Sequence, residues 1–179
     1  WSIFVLFPDA YFDLLCPVCQ FTWPTVLQLL SHYDSRIHFI FHTFPLPYFT
    51  NSFLASQGLH LVANLTNHNL TSIYTYITMM YQEQEQWRHL NTRSMTMNQV
   101  IESMADFVER NGIIKRDQFI RGINNNHANG ETRIAWKYVC SRGISGTPVF
   151  LLNGVYVDED EWLLEDWQTV IDPLLKNKH

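Results

Sequence analysis

The first apolar run of the chain, SIFVLF at residues 2–7, is unbroken and bounded by Pro8 and Asp9. A short run with no polar alternation predicts a central strand covered on both faces. Behind it Cys19, Trp23, Val26, Leu27 and Leu30 recur at helical spacing and predict an amphipathic helix, with Pro24 inside it to kink it. Residues 36–42, RIHFIFH, alternate, with Ile37, Phe39 and Phe41 on one face, and predict a second strand. Pro45 and Pro47 end it, because neither can donate to a ladder.

From 51 to 142 the period lengthens to that of helices. Leu70, Ile73, Tyr74, Ile77, Met80 and Tyr81 form one stripe; Val100, Ile101, Met104, Phe107 and Val108 form another, closed by Asn111-Gly112 as a C-terminal cap. A short helix is expected near 115–122 and a longer one near 129–142, separated by the polar NNNHANG. Strand character returns at 147–157, where Asn153-Gly154 between apolar runs marks a hairpin. A last helix near 159–175 places Leu163, Trp167, Val170, Ile171 and Leu174 on one face. Strand, helix, strand, helical block, hairpin, helix is the order of an α/β layered domain carrying a helical insertion. Its parts are a first half at 1–50, the insertion at 51–142 and a second half at 143–179.

Composition narrows the function classes. The 179 residues are 46% hydrophobic and 16% charged, enough for one packed core. A formal charge of −5, without blocks of one sign, argues against a nucleic-acid or acidic-membrane partner. No apolar run approaches the roughly 20 residues of a membrane helix. The chain starts at Trp1 with no charged region ahead of an apolar core, as a cleaved leader or a trimmed chain would leave it. The sequons at Asn64 and Asn69 permit a secretory location, but chance placement gives about as many.

The chemistry concentrates in DLLCPVC, where Cys16 and Cys19 stand three apart at the front of the first helix. A cysteine there faces unpaired backbone N–H groups and the positive end of the helix dipole, both of which favour thiolate. Pro17 suits the first helical position, where its missing N–H costs nothing. A disulfide across the turn is within reach, with Cys16 the exposed attacking sulfur and Cys19 the buried resolving one. Half a metal site and an inert staple are the other readings of the spacing. Against metal, Cys140 is solitary and the histidines show no paired spacing near a cysteine. Thr147-Pro148, ahead of an apolar strand, is the second constellation; alone it reads equally as an ordinary strand start.

Taken in order, the strand, CPVC, a helix with Pro24, the block of helices, and Gly-Thr-Pro before a hairpin resemble the thioredoxin fold. DLLCPVC, FHTFPLPYF and SRGISGTPVFLLNGVYV resemble its DsbA-like branch over nearly the whole chain. The resemblance implies a monomeric thiol–disulfide oxidoreductase, more an oxidase than a reductase. It would act on cysteine-containing proteins with an unidentified redox partner, in a secretory, extracellular or periplasmic setting. It needs no metal or cofactor beyond the Cys16–Cys19 disulfide. Cys16 is then the nucleophile and Cys19 the resolving cysteine. Pro148 is the cis-proline, Thr147 offers backbone hydrogen bonds to an extended substrate, and Pro17 and Val18 flank the groove.

Two departures bear on reactivity. Val18 has no side-chain donor for a Cys16 thiolate, so the thiolate is expected to be less stabilised than in the strongest oxidases. The family's buried acid has no secure match. Asp13, three before Cys16, is taken as a general base toward Cys19, whereas Asp9 reads as a solvated loop carboxylate. Cys140 reads as core and His38, His42 and His60 as structural or solvent-facing, with His42 near enough to the strand end to approach the disulfide. The competing functions are a redox-inert peptide-binding module of the same fold and a glutaredoxin-like, glutathione-dependent carrier.

Overall fold

A computed structural model describes residues 8–158 and 161–176. Among the described residues four strands form one sheet in the order β2-β1-β3-β4: β1 (Pro8–Phe12), β2 (Ile40–Thr43), β3 (Val149–Leu152) and β4 (Val155–Val157). β1 pairs parallel with β2 and antiparallel with β3, which turns back on β4.

The strand expected at 2–7 lies outside the described residues. The first described strand instead begins at Pro8, where the sequence suggested a boundary. Proline is tolerated as the first residue of a strand, where its missing N–H removes little of the ladder. Being central, β1 is covered on both sides. Ala10 and Phe12 enter the larger core, with Trp23, Phe107 and Phe150, while Tyr11 joins Phe44, Leu46, Val139 and Leu151 on the opposite face.

Helix α1 (Pro17–Tyr33) buries Cys19, Trp23, Val26, Leu29 and Tyr33. Leu27 and Leu30 of the expected stripe are only partly buried against the same core. Between the sheet halves run α2 (Ser52–Leu65), α3 (Leu70–Glu83), α4 (His89–Thr92), α5 (Met97–Arg110), α6 (Arg116–Ile123) and α7 (Asn126–Ser141). The stripe of α5 is buried at every predicted position, after a Thr96–Gln99 capping box and before Gly112 at φ 67°. In α3 the stripe shifts: Tyr76, Ile77, Met80 and Tyr81 are buried, and Leu70 is exposed.

The helical block is tied to the sheet layer. The Trp23 indole donates to Thr78 Oγ1 at 2.9 Å and Gln20 Nε2 to the Tyr81 carbonyl at 2.6 Å, joining α1 to α3. α7 starts within the polar NNN run, where Asn125 caps it, and packs on β2 through Val139's side of the sheet. The Asn153-Gly154 turn takes φ 51° and 81°, both left-handed as such a hairpin requires. Helix α8 (Leu164–Lys176) packs against α1, burying Trp167 and Ile171, while Leu163 and Leu174 of its expected face stay exposed.

Candidate active site

Cys16 is the N-cap of α1, with extended backbone (φ −75°, ψ 125°) and Pro17 next in the first turn. Its amide donates to the Asp13 carbonyl at 3.2 Å and its carbonyl accepts from Gln20 at 3.0 Å, so the loop closes directly into the helix. Both cysteines are free thiols. Contrary to the expected exposed attacking sulfur, Cys16 is only 4% exposed; Cys19, at 0%, is the deeper of the two. The difference arises because the cap position also faces the 147–148 loop: the Cys16 thiol donates to the Thr147 carbonyl at 3.5 Å.

The pair is strongly asymmetric. Cys16 is lowered to about 6, chiefly by the hydrogen bond from the Cys19 thiol, with the Cys19 and Val18 backbone N–H groups adding to it and burial opposing it. Val18 thus contributes an amide where its side chain has no donor. Thr147 Oγ1 is buried without a partner while Cys16 is a thiol, and it is a donor available to the thiolate. Cys19 is pushed well above the usual thiol range by burial and by its neighbour's charge. One sulfur is built to leave or attack as thiolate near neutrality, and the other to hold its proton.

The Thr147–Pro148 peptide is cis. It lines an open groove of about 570 Å³ with Pro17, Val18, Phe21, Thr22 and Glu161. Val18 and Phe21 are 54% and 64% exposed there, an apolar rim at the sulfur's edge. The structure therefore brings Cys16, Cys19, Pro17, Val18, Thr147 and Pro148 together.

Asp13 is fully buried, and three donors occupy its carboxylate. Oδ1 accepts from the Leu15 amide (2.7 Å) and the Ser52 hydroxyl (2.5 Å), and Oδ2 from the Leu46 amide (2.6 Å). Burial outweighs these three donors and lifts its pKa to about 6. What the residue offers Cys19 directly is its backbone N–H. Asp13 is thus placed to pin the cysteine loop to the proline-rich turn and to the start of α2.

Two tyrosines complete the surroundings. The Tyr81 hydroxyl, buried in α3, donates to the Asp13 carbonyl at 3.3 Å; burial first, then the charges of Cys19 and Asp13, hold its proton firmly. Tyr48 is 65% exposed, and after partial burial it is the charge at Cys16 that raises its pKa most. Neither was singled out from the sequence. Tyr81 reads there as one more stripe position, and Tyr48 follows Pro47 in a turn with no period to place it.

Other candidates lie elsewhere. Asp9 is no loop carboxylate: it sits on β1 and accepts from, or pairs with, His42 Nε2 at 2.8 Å. His42 stacks on Tyr11 (ring centroids 4.6 Å apart) and against Tyr138, on the sheet's second face. His60, its pKa lowered by burial, meets the Thr43 hydroxyl at 3.1 Å. Cys140 is exposed rather than core, because α7 turns Ala128, Thr132 and Val139 inward and the position after Val139 faces out. Among the described residues no group of three or more His, Cys, Asp or Glu is arranged to hold a metal ion.

No curated protein matches the chain by sequence. Solved structures match its fold. A protein from Pseudomonas syringae, provisionally named a protein-disulfide isomerase, superposes with a TM-score of 0.81 at 16% identity, over 96% of each chain. Wolbachia pipientis alpha-DsbA1 gives 0.73 at 19% identity, over 96% of this chain and 86% of that one. Pseudomonas aeruginosa DsbA gives 0.65 at 18%, over 99% and 85%. The thioredoxin family model matches residues 9–173, which takes in the cysteine pair, the helical block and the cis-proline loop. The chain belongs to the thioredoxin family, with the DsbA-like arrangement in which a block of helices interrupts the fold.

Proposed function

We propose that the protein is a thiol–disulfide oxidoreductase acting on cysteine-containing proteins through Cys16-Pro17-Val18-Cys19, and that it donates disulfides more readily than it reduces them. The observation that carries this is the asymmetry of the pair, with Cys16 lowered to about 6 and Cys19 raised well above its usual range. A stabilised Cys16 thiolate favours the reduced enzyme, and an enzyme whose reduced form is favoured is an oxidant.

In the oxidising direction a substrate thiolate attacks Cys16 Sγ of the Cys16–Cys19 disulfide. The bond between the two cysteines breaks and Cys19 leaves with the electron pair, taking up a proton. A second substrate thiolate then attacks the substrate sulfur of the mixed disulfide, and Cys16 leaves as thiolate. Two electrons pass from the substrate's thiols to the cysteine pair, which ends as the free pair seen here. The open groove beside Pro148 receives the substrate segment, with the Thr147 backbone pairing to it as a strand edge would and Val18 and Phe21 contacting its side chains. Asp13 holds the loop, and its charge opposes that of Cys16; it is a positioning residue. A separate redox partner would restore the disulfide. Such an enzyme works as a monomer and suits an oxidising compartment, secreted or periplasmic. Among the described residues no helix is long and apolar enough to cross a membrane.

Equilibrating the protein in glutathione buffers and counting trapped thiols at Cys16 and Cys19 by mass tests the reading. A midpoint about −120 to −180 mV is expected for a disulfide donor. One near about −270 mV reverses the direction to reductase. A pair still oxidised below about −300 mV is a staple, and the peptide-binding module takes the enzyme's place.

A further inference from the structure

A second concavity lies away from the Pro148 groove, between the proline-rich turn after β2 and the outer face of α7. It holds about 420 Å³ and is floored by Leu46, Phe49, Phe53 and Trp136. Trp136 is 40% exposed although its ring stacks on Phe44 with centroids 6.4 Å apart. Among the described residues, the charged ones lining the concavity are Arg133 and Lys137, one helical turn apart on α7. Like charges at that spacing repel. Neither has an ion pair or side-chain hydrogen bond among the described residues. The one acid of their helix, Glu131, is engaged by Asn64 Nδ2 at 2.6 Å and faces His127. A chain of net charge −5 therefore presents here an apolar floor with an uncompensated cationic rim.

The concavity is linked to the cysteine loop through the turn that walls it. Leu46 on its floor donates its amide to Asp13, and Tyr48, exposed and between Pro47 and Phe49 along the chain, has its pKa raised by burial and by the charge of Cys16.

We infer that this concavity is a docking site for an acidic segment of a partner polypeptide that inserts one bulky apolar side chain between Phe49, Phe53 and Trp136 and sets carboxylates on Arg133 and Lys137. Bulky apolar anchors inside a charged rim are the usual anatomy of such contacts, with the rim setting partner choice and encounter rate. That the partner is one exchanging disulfides with Cys16 rests on the proposed function; the docking itself does not.

The test uses a cysteine-free fluorescein-labelled peptide, Asp-Glu-Leu-Phe-Glu-Asp, and a twin with its four acids replaced by Gln. Anisotropy is read on the full chain, as wild type and as Cys16→Ser, so that binding is scored apart from thiol exchange. The acidic peptide should bind both equally and the twin more weakly. The Arg133→Glu/Lys137→Glu variant should weaken acidic-peptide binding on the order of tenfold. Raising salt should weaken wild-type binding, since the rim is exposed. Both reversed residues are exposed, and an unchanged thermal melt shows that the variant folds. Trp136→Ala should weaken both peptides. Equal binding of acidic peptide and twin, indifference to the charge reversal, or no saturation up to about 1 mM overturns the proposal. So does a concentration-dependent dimer that the same variant dissociates, which would make the occupant a second copy. Docking without glutathione-buffer exchange at Cys16 would instead fail the proposed function and leave the docking site standing.

Discussion

The Leu46 amide donates to Asp13 Oδ2 at 2.6 Å across 33 residues of sequence, joining the loop that carries the cysteines to the turn that follows β2. The other oxygen holds Leu15 and Ser52, so three donors from three segments meet on one buried carboxylate. Replacing it by Asn turns an acceptor into an N–H₂ group facing at least one of those donors. Leaving buried donors unmatched costs about 1–3 kcal/mol, and Asp13→Asn is expected to lower unfolding stability by that much in urea. Removing the charge beside Cys16 should also move the Cys16 pKa further down. A variant as stable as wild type, with an unmoved thiol, would show that the carboxylate holds nothing.

Cys16 should titrate near 6 by thiolate absorbance in the reduced protein, and Cys19 should add no second step below the usual thiol range. Thr147 Oγ1 is the buried hydroxyl available to the charged sulfur, and Thr147→Val removes it without changing shape much. One such hydrogen bond is worth about 1 kcal/mol, so the Cys16 pKa should rise by about half a unit to one unit. No movement would mean that the Cys19 thiol and the first-turn amides carry the whole effect.

The two shifts around 6 pull stability in opposite directions with pH. Asp13 is raised in the fold, from an unfolded value of about 3.9, so the folded chain holds its proton more tightly. Its contribution is full below about pH 4 and is lost as pH rises through 6. Cys16 is lowered from about 8.5 unfolded, so its contribution is present above about pH 8.5 and is lost as pH falls through 6. Urea melts of the reduced protein should therefore show falling stability from about pH 4 to 6 and recovery from 6 toward 8.5. The oxidised protein keeps only the first limb, since its Cys16 has no proton to lose. Identical profiles for the two forms would dismiss the thiolate as a stabilising group.

Much of this site is legible in the chain because it is local. Cys16, Pro17 and Cys19 sit within one helical turn, and a helix start fixes their electrostatics whatever the rest of the fold does. The hairpin and the α5 stripe are legible for the same reason, each being set by turn chemistry or a single period. What escapes is long-range. The burial of Asp13 depends on Leu46 and Ser52 arriving from elsewhere, and nothing in DLLCPVC signals it. Asp9 reads as a loop acid because Pro-Asp is a turn signal, but β1 pairs on both edges and tertiary pairing overrides that signal. Cys140 follows residue-type preference inward, whereas the α7 face that meets the sheet is set by Val139. Val18 is expected at the groove and is exposed there, whereas no periodicity in the chain marks Phe21 or Trp136 as rim residues.

Gly58, in the middle of α2, marks where the helical block is packed most closely. A Cβ there would lie 2.2 Å from the Tyr76 hydroxyl and 3.1 Å from both Tyr76 Cζ and Phe119 Cε2. That hydroxyl is itself fixed, donating to the Ala55 carbonyl at 2.8 Å inside a fully buried setting. Gly58→Ala must displace it, at about 1–3 kcal/mol of overpacking, against the few tenths to one that alanine gains by helix propensity. Tyr76→Phe alone loses one buried hydrogen bond, about 1 kcal/mol. In the double variant the worst contact is gone but the two at 3.1 Å persist. The combined loss should therefore fall short of the sum of the singles, a coupling that urea melts of the four proteins measure. The Cys16 pKa should not move in any of them, because Tyr76's bond to Ala55 shares no partner with Tyr81's bond to Asp13. Additive losses would show that the block yields at Gly58 by shifting helices rather than by displacing the Tyr76 hydroxyl.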